Sequence, residues 1–558
     1  MHAPSTVFAP GIEPATQVGE ELHSPRDHPR ALEPITLALT AALSVLGALI
    51  GLNLITTLGI SANTSVIGAL VAMLVGRVNV LGLRKMRSVH RQNLVQSAIS
   101  GATFGAANSL LSPIAVLFVF GRLDLIWPML LGASIGLLVD TWVLFRTFDS
   151  KLFPAAAAWP PGVAAAETVI AGDRGGRRAA ILAGGALVGL VGTFLQLPMS
   201  AAGVALIGNI WALAMFGLGL LLRQYSVPLF GVDINTQYIP HGVMIGAGLV
   251  ALGQAVALLR RSRAEPRPDG AGSEDGSIDP SRITTTSEGQ LRRGLLEGYV
   301  LFAAGALLVG LLGGLPVELS PAALLGWVLF VAFAALVHEI IVGLAAMQSG
   351  WFPAFAVTLI FLVLGLVVGI SPVPLALLVA YCSATGPAFA DMGYDLKAGW
   401  MLRRGARPFL PVEREGRRQQ YIAQLVGFGI AMAVVALTWQ SYFRDQLIPP
   451  VAKVYAATIT AGLTDPSVVR NLVLMAIPGA LIQFLGGPKR QMGILFATGL
   501  LLLTPNAWWL VFGALLVRII YDRVRGSAAE AETELSLVGA GIIAGNALSD
   551  SSRVLGIR

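Results

Sequence analysis

A single cysteine, Cys382, stands in this chain, so no intrachain disulfide can form. Charge is scarce too: Asp, Glu, Lys and Arg make up 12% of the 558 residues, about half the share of a soluble domain. The glycine-rich phosphate loop of nucleotide-driven pumps is missing, which argues against an ATP-powered pump. In "HEIIV" (338–342), Val342 occupies the place of the second histidine of a zinc-protease motif. His2, His23 and His28 are too scattered for a metal site, and no cofactor motif is evident. The polar first 32 residues lack a short apolar core with a cleavage site, so no cleaved signal peptide is expected.

What remains is apolar. Hydrophobic residues make up 55% of the chain, and the mean hydropathy is +0.74. Glycine is frequent, with 64 residues, as expected where helices approach closely in a bilayer. The net charge of +7 is no sign of nucleic-acid binding. Its arginines sit in loops, where the positive-inside rule places them.

A span needs about 20 apolar residues. The first half offers 33–59, 63–83, 93–120, 124–145, 179–198, 201–222 and 236–259. The second offers 294–314, 322–346, 351–370, 372–390, 419–441, 468–485, 491–504 and 507–521, with a weak segment at 536–548. The expected fold is an all-α polytopic membrane protein of about 16 segments. Its parts are an N-terminal tail (1–32), a first membrane half (33–259), a linker (260–293) and a second half (294–558).

The linker carries seven arginines amid Pro, Gly and Ser, so it reads as disordered and cytoplasmic. The basic clusters at 84–91, 151–178 and 397–418 read as cytoplasmic loops as well, which places the N-terminus inside. Seven spans before the linker would put it outside, so one segment is miscounted. Either 93–120, interrupted by Asn108 and Pro113, is two pieces, or 225–240 hides a broken helix.

"FPAAAAWPPGVAAAETVIAG" (153–172) is apolar yet broken by Pro154, Pro160, Pro161 and Gly162. Basic residues flank both ends, so the segment should return to the face it left, as a re-entrant hairpin or an interfacial loop. Irregular backbone at membrane depth needs burial in protein or a wet cavity. The two halves also echo each other, with "RRAAILAGGALVG" (177–189) against "RRQQYIAQLVGFG" (417–429). Such repeats place substrate sites at their interface.

Several blocks resemble the oligopeptide transporter superfamily, which includes the yellow-stripe-like metal-chelate carriers. "LFPAAAAWPPGVAAAETVIAGDRGG" (152–176) is similar to its FP-x-G-x-A-x-AE-V block. "DMGYDLKAGWML" (391–402) resembles its D-x-K-x-G block, followed by Gln419, Gln420 and Gln424. "RQNLVQSAISG" (91–101), "YIPHGVMIGAG" (238–248) and "VGAGIIAGNAL" (538–548) are similar to further blocks, in the expected order. "AWPPG" lacks the family's hydroxyls, the step after the lysine block is stretched, and His241 stands where the family is usually apolar.

The resemblance implies a secondary active transporter, not an enzyme, that imports small peptides or metal-chelate complexes with protons. It implies a substrate path through Phe153, Pro154, Pro161, Gly162, Tyr238, Asp395, Lys397 and Gly399, to which Glu167 and His241 are added as ionisable side chains in apolar segments. Asp140, His338 and Glu339 are ionisable residues inside spans, where such groups usually face a cavity or a partner. They are the proton-coupling candidates, since a shielded carboxylate or a histidine can exchange a proton near neutral pH. Adjacent helical residues point about 100° apart, so His338 and Glu339 should face different neighbours. Gln96, Asn108, Asn209 and Asn235 are polar in apolar contexts and read as joints between helices. Short loops suggest a bacterial cytoplasmic (inner) membrane. A passive channel, an integral-membrane enzyme and assembly as a homo-oligomer stay open.

Overall fold

A computed structural model describes residues 22, 24–59, 83–157, 159–172, 176–264, 284–349, 354–404, 406, 409–462, 466–487, 490–502, 506–525 and 528–554. The first half holds α1 (Pro34–Thr57), α2 (Val89–Phe104), α3 (Ser112–Val119), α4 (Ile126–Thr147), α5 (Pro160–Gly172), α6 (Gly176–Phe194), α7 (Met199–Ile207), α8 (Ile210–Phe230) and α9 (Ile239–Ala264). The second opens with α10 (Glu288–Leu312), the single-turn α11 (Leu315–Glu318), α12 (Pro321–Ser349), α13 (Ala354–Val368), α14 (Pro372–Ala384) and α15 (Pro387–Arg403). It closes with α16 (Phe409–Arg444), α17 (Pro450–Ala461), α18 (Pro466–Gly486), α19 (Met492–Leu501), α20 (Ala507–Arg525) and α21 (Ala528–Val554). Among the described residues, eight helical stretches are long and apolar enough to cross a membrane, and six shorter apolar helices join them. The fold is all-α and polytopic. The expected span 63–83 lies almost wholly outside the described residues.

Several boundaries differ from the sequence-based expectation. The run 93–120 is one continuous rod, because residues 105–111 form a π-helix between α2 and α3. The wider π turn lets Pro113 enter without breaking the rod. Residues 225–240 hide no broken helix: α8 ends at Phe230 and Gly231 closes it with φ +66°. The break falls instead inside 201–222, between α7 and α8. There Asn209 Oδ1 accepts from the N–H groups of Trp211 (3.0 Å) and Ala212 (3.2 Å), capping α8. The expected span 372–390 is likewise split, between α14 and α15. Lys397 and Arg403, expected in a cytoplasmic loop, are buried in α15. Helix α17 lies in no expected span, since its 12 residues fall short of a full crossing.

Corresponding stretches of the two halves share a pattern. Proline-started α5 and α15 each precede a helix, α6 and α16, that begins near an arginine pair. Each of those ends at a glutamine with positive φ, Gln196 at 62° and Gln446 at 59°. Leu197 N–H then bonds Gly192 O (3.0 Å), and Leu447 N–H bonds Tyr442 O (2.9 Å). The short α7 and α17 follow these turns.

Helix α15 sits at the centre. It packs against α2, α4, α5, α12 and α16. Its sequence, PAFADMGYDLKAGWMLR, carries four charged side chains, and all four are buried. A polar helix wrapped on every side by other helices must find its partners inside the protein.

Candidate functional site

The site begins at the break before α15. Gly386 has φ +89°, and a Cβ there would lie 2.8 Å from His338 Nδ1, so the position requires glycine. The first N–H groups of a helix have no partner within it. At α15 a side chain from another helix supplies one: Asp140 Oδ2, on α4, accepts from Gly386 N–H (2.6 Å) and Phe389 N–H (3.1 Å). Asp140 lies within hydrogen-bonding reach of the Glu339 carboxyl from α12. Both residues are fully buried. Apart from this mutual contact, neither Glu339 oxygen has a hydrogen-bond partner among the described residues. His338 points elsewhere, to Ala354 O (2.9 Å) and Thr358 Oγ1 (3.0 Å) through Nε2 and to Thr385 Oγ1 (3.3 Å) through Nδ1. The three coupling candidates therefore meet around the head of α15, with His338 and Glu339 on different neighbours.

One turn further along α15 stand Asp391 and Asp395, both fully buried. Gln96 Nε2 donates to Asp395 Oδ1 (2.5 Å), and Ser100 Oγ donates to Asp391 Oδ1 (2.5 Å). Gln424 Nε2, from α16, reaches Asp395 Oδ2 (2.7 Å) and Asp391 Oδ2 (3.4 Å). Gln420 Nε2 bonds Asp395 O (2.6 Å) and Ser97 Oγ (3.1 Å). The end of α15 is an ion-pair network. Arg403 Nε donates to Glu413 Oε2 (2.8 Å), and Arg403 Nη1 donates to Gln420 Oε1 (3.0 Å). Arg417 shares Glu413 (3.4 Å) and stands 3.8 Å from Asp149.

Segment 153–172 joins this helix directly. Phe148 and Phe153 form an isolated bridge. Lys397 Nζ donates to Ala155 O and Ala157 O, each at 2.9 Å, and lies over the Trp400 ring. Trp159 Nε1 donates to Pro154 O (3.1 Å). Pro160 and Pro161 do not prevent a helix. They open α5, in the first turn where a missing N–H costs nothing. Gly162 faces α15, and a Cβ there would lie 2.4 Å from Tyr394 O. Gly399 is as tightly placed, 2.0 Å from Gln420 Oε1 by the same measure. The carbonyls of Pro154, Ala155 and Ala157 in this irregular stretch are thus met within the protein. Burial raises the Asp149 carboxyl above the usual range and the Arg417 charge pulls it back.

The structure therefore gathers Phe153, Pro154, Pro161, Gly162, Asp395, Lys397 and Gly399 around α15 and α5. The Glu167 side chain lies outside the described residues. Tyr238 and His241 set their rings against each other at a tilt of 54° (5.3 Å between centroids) at the start of α9, whose main neighbours are α18 and α19. The sequence reading passed over Asp391, Ser100 and Glu413. A signal was present: Gln96 and Ser100, Asp391 and Asp395, and Gln420 and Gln424 are each spaced i, i+4, one polar face on each of three apolar helices. Gly132–Gly136, GASIG, fits the nucleophile pattern of hydrolases, yet Ser134 lies inside continuous α4 and donates to Leu130 O (2.8 Å). No group of three or more metal-binding side chains occurs among the described residues.

Residues 295–550 match the family model described as OPT oligopeptide transporter protein. The match takes in α12, α15 and α16, and so Glu339, Asp391, Asp395 and Gln424. Comparison with curated proteins gives no match.

Proposed function

We propose, for a chain whose residues 295–550 match the oligopeptide transporter (OPT) family model, that cargo movement is coupled to a proton held between Asp140 and Glu339. A multi-pass membrane transporter is what the family and the helices establish. The finer reading is import of small peptides or metal-chelate complexes across a bacterial cytoplasmic membrane. The observation that carries it is the pair of fully buried carboxyl groups, one of them capping α15. The positive end of α15 favours a charged Asp140, so the exchangeable proton rides on Glu339. Losing it sets two like charges face to face, with no cation in contact among the described residues. Two unit charges about 4 Å apart repel by about 4 kcal/mol at an effective dielectric of about 20. That approaches the roughly 5.5 kcal/mol that swings a two-state equilibrium from 1:99 to 99:1. Proton loss therefore pushes α4 from α12 at the head of α15, the helix that holds segment 153–157 through Lys397.

The test is cargo-driven proton entry in proteoliposomes, with short peptides and iron chelates as competing cargoes. Glu339→Gln should retain cargo exchange while losing proton co-entry. Unchanged proton entry in both Glu339→Gln and Asp140→Asn would remove the pair from the mechanism. Uptake indifferent to a proton ionophore would favour a passive channel.

A further inference from the structure

Two segments outside the membrane helices close over one end of the molecule. The first precedes α1. Its Leu22 packs with Ala406, in the turn after α15, and with Val412 of α16. Its Ala31 packs with Leu94 and Ala98 of α2 and with Ala423 of α16, and the Ala31 N–H donates to Gln419 Oε1 (2.9 Å). The His28 ring lies 5.4 Å from that of His90. Glu33 anchors the far end of this segment through ion pairs with Lys85 and Arg91. The second segment is the end of the linker. Thr285 N–H donates to Asp149 Oδ2 (3.0 Å), and Arg417 Nη2 donates to Thr285 Oγ1 (2.9 Å). Both segments therefore hold the opening turns of α16. Lys85, Arg404, Arg414 and Arg418 are exposed around them, which marks this end as cytoplasmic by the positive-inside rule.

What they cover is a set of charges at a water-facing end. Arg403 and Glu413 pair at 2.8 Å with 1% and 0% exposure, and Arg417 and Asp149 beside them are 8% and 4% exposed. Burial strips such groups of their hydration, which their mutual attraction only partly offsets. Parting the cover would return water to four charged groups. The N-terminal segment gives up little in exchange: the Ala31 hydrogen bond and the apolar contacts of Leu22 and Ala31. Its ion pairs at Glu33 can stay whole, because they lie at the end joined to α1. The covered network also stands at the end of α15, beyond Asp395, Lys397 and Gly399 along the helix. Any path past those residues to the cytoplasm leads to this cover.

We propose that Leu22 and residues 24–31 form a cytoplasmic lid, hinged at Glu33, which is shut in this structure and lifts from Ala406 and Val412 when cargo leaves toward the cytoplasm. The linker end, tied to Asp149 and Phe148, is the fixed post beside it. The proposal rests on the reading of the chain as a carrier, whose path must be sealed on one side while it is open on the other.

Thiol labelling of the full-length chain in inside-out vesicles tests it, in a Cys382→Ala background. Val412→Cys reports from beneath Leu22, and Arg414→Cys, at an exposed position, is the control. A membrane-impermeant maleimide should label position 414 fast and position 412 slowly. The cargo probe is whichever short peptide or iron chelate the proteoliposome assay shows to be carried. An open state held by at most about 10% of molecules at rest, and by about half during turnover, gives a gain of at least about fivefold at position 412. Leu22→Asp should raise that labelling about tenfold without cargo, since burying one leucine is worth about that factor or more. An unchanged Tm in Leu22→Asp separates a lifted lid from a lost fold. If Val412→Cys does not fold, Ala423→Cys, beneath Ala31, takes its place. Position 412 labelling as fast as 414 at rest overturns the proposal. A rise with Leu22→Asp but none with cargo means a static cover and overturns it too. Cargo exchange that opens position 412 without a proton gradient would defeat the proton coupling and keep the lid.

Discussion

At the scale of the residue, the polar interior works by close fit, and single atoms test it. A Cβ at Gly162 meets Tyr394 O at 2.4 Å and Lys397 Cβ at 2.8 Å, whereas one at Gly184 meets nothing within 4 Å. Gly162→Ala should therefore destabilise by roughly 1–3 kcal/mol, the usual cost of overpacking. Gly184→Ala should be neutral or slightly stabilising, since alanine is the better helix former. Thermal unfolding in detergent compares the two, and equal Tm values would contradict the α5–α15 contact. Glu413 is fully buried between Arg403 and Arg417. Removing it strands two cations, so Glu413→Ala should cost on the order of 3–5 kcal/mol. Before the first span, burial pushes the His28 imidazole down to about 3, with Arg403 and His90 adding to the effect. Between its ordinary value near 6.5 and about 3, the unfolded chain takes up a proton that the folded one refuses. Stability contributed by His28 is thus present above that window and is lost as pH falls through it. His28→Gln should flatten the acid limb of a Tm-against-pH curve. An unchanged limb would mean that His28 is not held neutral.

At the scale of the element, glycine decides which helices touch. Gly185 and Gly189 of α6 meet Gly541 and Gly545 of α21 so closely that an added Cβ at any of them would lie 2.1–2.5 Å from a carbonyl oxygen opposite. Small residues let backbones approach in this way, and dispersion then holds the pair. Gly189→Leu should part α6 from α21 and lower the yield of folded protein on size exclusion. Gly513→Leu, where a Cβ meets nothing within 4 Å, should not. Equal yields would show that the seam contributes little. Helix α15 is the opposite case. It is joined to its neighbours by hydrogen bonds and ion pairs, with Asp140 of α4 accepting from the backbone N–H groups at its head.

At the scale of the whole molecule, the linker is not uniform. Helix α9 runs on to Ala264, and the last linker residues are tied into the site. Thr285 N–H donates to Asp149 Oδ2 (3.0 Å), Thr286 Oγ1 donates to Phe148 O (2.7 Å), and Arg417 Nη2 donates to Thr285 Oγ1 (2.9 Å). The stretch 260–293, expected to be disordered, is therefore ordered at both of its ends. Shortening the chain within 265–283 should leave uptake intact, while Thr285→Ala with Thr286→Ala should impair it. Uptake unaffected by both changes would detach this tie from function. A single reactive cysteine at Ser277, in a Cys382→Ala background, tests the cytoplasmic placement. Labelling from outside would reverse it.

Much of this was legible in the sequence, because hydrophobic runs of span length and the rarity of charge are one-dimensional facts. They sufficed for an all-α membrane protein, for most helix positions and for Asp140, His338 and Glu339 as costly buried groups. The resemblance singled out residues 391–402 while their charges suggested a loop. Only the tertiary structure decided that this block is a central helix, because charged residues are tolerated inside when other helices bring partners to them. Gln96 and Asp395 are 299 positions apart and Asp140 and Gly386 are 246 apart. Local composition carries no record of such pairings, since a buried charge finds its partner through the packing of helices distant in the chain.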